Sequence, residues 1–429
     1  MIGTRRGRTE LRRRAGERLW PVMAYVARSY RVTLGRRPRI VAVVGSVGKT
    51  TTMRSLSAVL GRPVSRPALL NMNSHAAIGR ALLGVRPWQT RAVLEVGINA
   101  PGQMRRQAAT VRPNVVVVTA IARDHWESFH SLDAIRDEKA EMVRALPPSA
   151  AAVINADDPN VRWMAGQTRA RVVLTGEAAD AEVRATDIGF DWPHGMSFTV
   201  RIGERTWPVR IQLMGRHMVF PALAAIAVAY VDGLSIDAAV AAVGTVEPTP
   251  GRMQTMVLPS GAVVIRDEFK GTMDAWLAAL DALADIPARR RIAVFGEISE
   301  VTGNQDYRDI GQRLGFVDRA IFVSTSKNFQ LFRAGATAGG LDRDQIAHAR
   351  NYVDVLDLLR DELVLGDVVL IRGRWQQALG RIGLALAGED VQCRADPCPF
   401  KRMLCDVCPM LNQPFTGPST GERAPDGVA

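Results

Sequence analysis

Residues Val41–Met53 read VAVVGSVGKTTTM: four apolar residues, a glycine-containing turn, then Gly-Lys-Thr-Thr. A strand that runs through such a turn into a helix offers backbone N–H groups and a helix N-terminus to an anion. Gly45, Ser46, Val47 and Gly48 would line the loop and Lys49 would reach the outer phosphates of a nucleotide. Thr50, followed by Thr51, suits Mg²⁺. The first glycine of the full GxxxxGK[ST] pattern is absent. The loop therefore indicates a nucleotide without naming a reaction, because kinases, GTPases, motor ATPases and ligases share it.

Lysine and cysteine usage supplies the next candidates. The chain has five Lys (Lys49, Lys139, Lys270, Lys327, Lys401) against fifty Arg. In so biased a chain a retained Lys marks a place where a primary amine serves and a guanidinium does not. All four cysteines, Cys393, Cys398, Cys405 and Cys408, fall within CRADPCPFKRMLCDVC, spaced C-x4-C-x6-C-x2-C. With none in the first 392 residues, the chain is not a disulfide-stapled secreted protein. Four thiolates so close suit tetrahedral Zn²⁺ or, less often, an iron–sulfur cluster, and the remaining reading is uncoordinated thiols. A metal there would pin the tail to the preceding domain rather than do chemistry.

The elements that must position these residues come next. At 429 residues and 47% hydrophobic composition the chain can bury two domains. Its net charge of +12 is local: residues 1–39 hold twelve Arg and two Glu. No basic patch with interleaved aromatics stands elsewhere, which sets nucleic acid aside. Residues 1–38 read as a basic leader, with Leu19, Trp20, Val22, Met23, Val26 and Tyr30 at helical spacing. A basic amphipathic helix can lie on an anionic membrane surface; the alternative is a helix docked on its own domain. No run of eighteen uncharged apolar residues exists, so no transmembrane helix is expected, and an ATP-using body belongs in the cytoplasm.

Over 39–247 apolar strands (39–45, 91–97, 114–121, 151–156, 171–175) alternate with helical patterns near 50–60, 102–110 and 133–146. That alternation predicts an α/β fold with a mostly parallel sheet. Residues 180–212 alternate polar and apolar, as in a small antiparallel excursion, and helices at 220–232 and 236–244 close the unit. A second, Rossmann-like α/β series spans 248–390, with Pro-rich 248–250 as a hinge. The cysteine cluster follows at 391–410, and 411–429 has the composition of a disordered tail.

In order along the chain stand GSVGKTTT (45–52), LEVGINAPGQM (94–104), ARDHWESFHS (122–131), DEKAEMVRAL (137–146), VINADD (153–158), LMGRHM (213–218), PGRMQ (250–254) and VIRDEF (264–269). In this order the chain resembles the Mur ligase family, ATP-dependent amide ligases of peptidoglycan precursor synthesis, and most of all the branch that adds D-alanyl-D-alanine. The resemblance implies that ATP phosphorylates a substrate carboxylate to an acyl phosphate, which an amine then attacks. It assigns Gly45, Gly48 and Lys49 to the β/γ-phosphates, Thr50 and Glu95 to one Mg²⁺, and His125 to a second. Lys139 would be carbamylated by CO₂ and so become a carboxylate-like Mg²⁺ ligand, which Arg could not do. Asn155 and Asp157 would lie near the nucleotide or acceptor, Arg252 would reach the γ-phosphate, and Asp267 would bond the ribose.

The chain also departs from the family. GRHMVFPALAA carries Met218 and Pro221 where Asn is usual, and RDEFKGTMD has Lys270 for Asn and Met273 for Pro. The resemblance leaves the UDP-sugar-binding domain of relatives without an expected counterpart in these residues, where the basic leader stands instead, which puts the usual UDP-linked muramyl peptide in doubt. The carboxylate substrate is therefore expected to be soluble or lipid-linked, and the amine an amino acid or dipeptide. A P-loop ATPase acting as a switch or regulatory subunit is the alternative reading.

Overall fold

The computed structural model describes residues 20–61, 75–269, 273–299, 301, 303–400 and 403–417. The Arg-rich segment 1–19, Lys270, Lys401 and the final residues 418–429 lie outside the described residues. The chain divides into two compact units, with the principal boundary at Glu247.

The first unit begins with α1 (Trp20–Val32), followed by β1 (Arg39–Val44), α2 (Lys49–Val59), α3 (His75–Leu83), β2 (Arg91–Glu95), α4 (Gln103–Val111) and β3 (Val115–Val118). The short α5 (Trp126–Phe129) leads to α6 (Leu132–Arg144), β4 (Ala151–Asn155), α7 (Pro159–Trp163) and β5 (Arg171–Gly176). β6 (Val183–Asp191), β7 (Gly195–Ile202) and β8 (Arg205–Ile211) precede α8 (Val219–Val231) and α9 (Ile236–Gly244). The sheet order is β2-β1-β3-β4-β5-β6-β7-β8, parallel from β2 through β6. β1 and β3 sit centrally, and Val41–Val44 and Val115–Val118 are fully buried. Continuous apolar runs of this kind are what helices on both faces require.

α1 packs on α3 and α4. Its Arg31 is buried, donating to the carbonyls of Gly35 (2.6 Å), Val111 and Arg112 (both 3.1 Å) and to Asn114 Oδ1 (2.9 Å). Asn114 Oδ1 also accepts from Ile40 N (2.8 Å), so the helix is tied to the strand that feeds the phosphate loop.

The second unit contains β9 (Gln254–Val257), β10 (Val263–Asp267), α10 (Met273–Asp285), β11 (Arg290–Phe295), α11 (Asn304–Gln312), β12 (Arg319–Val323), α12 (Ser326–Ala338), β13 (Ile346–Ala349), α13 (Tyr352–Leu359), β14 (Asp367–Arg372) and α14 (Gly380–Leu386). Its sheet runs β13-β12-β11-β14-β10-β9, with β9 alone antiparallel. Helices α11 and α12 pack closely through glycines: a Cβ at Gly335 would fall 2.1 Å from the Arg308 carbonyl oxygen. Residues 411–417, expected to be disordered, are held against the cysteine segment. The Leu411 carbonyl accepts from Gln392 N and Cys393 N (2.8 and 3.0 Å), and that of Phe415 from Arg394 N (2.7 Å).

Candidate functional site

The loop after β1 is built on close approach. Gly45 has φ +145°, and a Cβ there would fall 1.9 Å from Thr119 Oγ1. Thr119 Oγ1 donates to the Val47 carbonyl (2.6 Å), Ser46 N to that of Ala120 (2.7 Å) and Ser46 Oγ to that of Ala122 (3.0 Å). The segment after β3 is thus one wall of the loop.

Lys49 is buried, and its ammonium donates to the Gly45 (2.8 Å) and Ser46 (3.1 Å) carbonyls. Lys139, 1% exposed on α6, donates to the same Gly45 oxygen at 3.0 Å across 94 residues of chain. Two ammonium groups meeting on one carbonyl form a pocket of positive charge suited to a polyphosphate. Thr50 Oγ1 donates to Glu95 Oε2 (3.0 Å), so a hydroxyl and a carboxylate oxygen stand together at the carboxyl end of the sheet. Hard oxygens of this kind fit Mg²⁺, which takes one or two protein oxygens plus phosphate and water.

Around this centre, His125 begins α5 with a left-handed backbone (φ +55°), its Nε2 3.7 Å from the buried Asp124 carboxylate. Asn155 Nδ2 donates to the Thr119 carbonyl (2.7 Å) and its Oδ1 accepts from Asp157 N (3.0 Å). Asp157 itself caps the chain after β5, accepting from Glu177 N (2.9 Å) and Ala178 N (3.0 Å). Asp158 starts α7 and accepts from Ile121 N (2.8 Å). In the described structure the VINADD strand end therefore shapes the Thr119–Ile121 wall.

The second unit carries Arg252 and Asp267. The Arg252 guanidinium lies over the Phe269 ring (4.6 Å), in a turn whose Gly251 carbonyl accepts from Phe269 N (3.0 Å). Asp267 Oδ1 accepts from Met253 N (3.1 Å), and Oδ2 pairs with Arg372. Motif residues 250–253 are thus fixed to the end of β10.

Sequence reasoning missed several residues. Thr119 clamps the loop. Glu138 accepts from Gly102 N (2.8 Å) and Met104 N (2.7 Å), capping α4 from the helix that carries Lys139. Buried Glu297 accepts from Tyr307 Oη (2.6 Å), Asn328 Nδ2 (2.6 Å) and Thr325 N (3.1 Å), joining the carboxyl ends of β11 and β12. A polar residue directly after an apolar strand was the available signal for Thr119 and Glu297; nothing local marks Glu138.

The four cysteines are unpaired and line one small cavity with Arg381 and Phe400. Arg381 Nη1 donates to the Cys393 carbonyl (2.9 Å) and approaches Cys393 Sγ (3.8 Å). Burial pushes the Cys405 thiol up to about 12 and raises those of Cys398 and Cys408. Although the four thiols line that cavity, among the described residues no group of three or more His, Cys, Asp or Glu is placed so that it could hold a metal ion. The expected Zn²⁺ or iron–sulfur site is therefore not supported. The segment is anchored by an ion pair instead: Arg266 on β10 is bidentate to Asp406 (2.6 and 2.9 Å) and bonds Glu268 (2.7 Å).

A phosphate loop with two lysines on one carbonyl and a Thr–carboxylate pair beside it defines a nucleotide-binding P-loop α/β protein. Residues 43–229 match the Mur ligase middle domain and residues 251–375 the Mur ligase glutamate ligase domain. The chain belongs to the Mur ligase family, whose members act in peptidoglycan precursor synthesis. It is 32% identical over 376 residues to the UDP-N-acetylmuramoyl-tripeptide–D-alanyl-D-alanine ligase of Mycobacterium tuberculosis, covering 82% of this chain and 73% of that protein. The Escherichia coli enzyme of that name is 27% identical, covering 81% and 76%. MurF from Thermotoga maritima in complex with ADP superposes with a TM-score of 0.71 at 20% identity, covering 86% of this chain and 83% of that one. Folylpolyglutamate synthase of M. tuberculosis with ADP gives 0.65 at 19% identity, covering 86% and 94%, a likeness of fold. No described helix is long and apolar enough to cross a membrane.

Proposed function

We propose that this ligase joins a dipeptide amine of the D-alanyl-D-alanine type to the carboxylate of a cell-wall peptide precursor, soluble or lipid-linked, in the cytoplasm. The observation that carries the reading is the convergence of Lys49 and Lys139 on the Gly45 carbonyl, beside the Thr50–Glu95 pair. The names of the relatives above supply the substrate class.

The problem for catalysis is repulsion between the substrate carboxylate and the γ-phosphate. Lys49 and the backbone of Gly45, Ser46, Val47, Gly48, Thr50 and Thr51 hold the phosphates. A carboxylate oxygen attacks the γ-phosphorus, the bond to the bridging oxygen breaks, and ADP leaves. The amine then attacks the acyl carbon, phosphate leaves with the C–O bond electrons, and the amine loses a proton. The family resemblance alone assigns Arg252 to the γ-phosphate, where a planar donor pair suits a transferring phosphoryl group, and Asp267 to the ribose. Asn155, braced by the Asp157 N–H, holds the Thr119 wall that we place beside the nucleotide. Mg²⁺ would be held by Thr50 and Glu95 with His125, and by Lys139 once carbamylation had turned the amine now on the Gly45 carbonyl into a carboxylate; the ion would then neutralise phosphate charge.

The test is ADP release by the full chain with Mg²⁺, bicarbonate, D-alanyl-D-alanine, and muramyl-peptide acceptors in UDP-linked, free and lipid-linked forms. Release that needs amine and acceptor together is expected, and Lys49→Ala abolishes it. Turnover indifferent to every acceptor would overturn the ligase assignment in favour of a switch ATPase.

A further inference from the structure

The outward face of α1 is apolar, which is unusual for a helix packed at a protein surface. At 100° per residue, Val22, Tyr25, Val26, Ser29 and Val32 share the side opposite the buried Ala27 and Arg31. Tyr25 is 72% exposed and Val22 61%, and Leu34 just beyond the helix is 66% exposed. One face of the helix serves the domain core and the other has no described cover.

Beside this ridge lies a cleft of about 520 Å³ lined by Arg28, Arg31, Arg36 and Arg112, with no acidic residue in its lining. Arg31 is locked onto carbonyls, and burial together with the charge of Arg112 lowers its pKa. Among the described residues none of the four forms an ion pair. Four cations collected around one cleft without a carboxylate call for an anion. Val32 belongs to both the ridge and the cleft lining, so the apolar and cationic surfaces are continuous.

We infer that α1 docks this protein on an anionic lipid surface, with its Val22–Tyr25–Val26 ridge in the interface and the arginine cleft against lipid phosphates. Charge selects this occupant over a second copy of the chain. Residues 1–19, immediately before the helix, add seven Arg and two Glu, and a like copy would bring the same charge against itself. An amphipathic helix with basic flanks binds by apolar burial plus attraction to anionic headgroups. The inference is independent of which substrates the ligase uses.

The experiment is co-sedimentation of the full chain with phosphatidylcholine vesicles and with vesicles containing phosphatidylglycerol, at 0.05 and 0.15 M salt. Binding is expected to the anionic vesicles alone and to weaken with salt. Tyr25→Asp/Val26→Asp should cut it by about tenfold or more while the melting temperature and ADP release stay unchanged. Arg28→Ser/Arg36→Ser should cost roughly fivefold per arginine and flatten the salt dependence. No binding to anionic vesicles at low salt overturns the inference. Binding that the Tyr25→Asp/Val26→Asp variant retains overturns it as well, since the basic N-terminus alone would then suffice. A wild-type dimer that this variant makes monomeric would assign the ridge to a second copy instead.

Discussion

At the scale of single residues, the site depends on contacts that span long stretches of chain. Lys139 reaches the phosphate loop from α6, and its amine was legible because so few lysines survive among fifty arginines. Lys139→Arg keeps the charge of the free amine but cannot be carbamylated; ADP release should fall at least a hundredfold, read against melting temperature to exclude misfolding. Glu138 was not legible, because its partners lie 34–36 residues away and no local pattern marks such a bond, and Thr119, whose partner lies 72 residues away, was marked only by its place after an apolar strand. Glu138→Ala should uncap α4, costing about 1 kcal/mol in denaturant unfolding. Because α6 carries both residues, it should also lower ADP release.

Among the elements, the central parallel strands were readable from unbroken apolar runs, and β1 and β3 lie within a few residues of the expected positions. Helices α11 and α12 were not. Their sequences, NQDYRDIGQ and SKNFQLFRAGATA, each carry a glycine, a weak helix former. The fold uses those glycines for backbone approach between the two helices, a property that emerges only once they are paired. Gly335→Ala should therefore destabilise by about 1–3 kcal/mol, the opposite of the gain expected for Gly→Ala on an open helix surface. The cysteine segment is tied to β10 by Asp406. Burial works against that carboxylate's charge, but the bonds and charge of Arg266 outweigh it and hold its pKa below the usual range. The clamp's stabilisation is then fully present above about pH 4 and is lost as pH falls through the lowered value. Thermal unfolding of wild type against Asp406→Asn should show a gap at pH 6–7 that narrows in acid.

For the whole molecule, two α/β units were legible as two series of strands and helices, and the principal division of the chain falls at Glu247. The leader was less legible, because charge density drew attention to its arginines as a class. Arg31 separates from the others only in three dimensions, where it holds the carbonyls of Gly35, Val111 and Arg112 and, through Asn114, the start of β1. That clamp decides where a workable gene fragment can begin. A fragment cloned from residue 39, the start of β1, would leave the Val111 and Arg112 carbonyls without their donor and uncover the surfaces of α3 and α4 on which α1 packs. It should express as aggregate, whereas one begun at residue 20 should remain soluble and active.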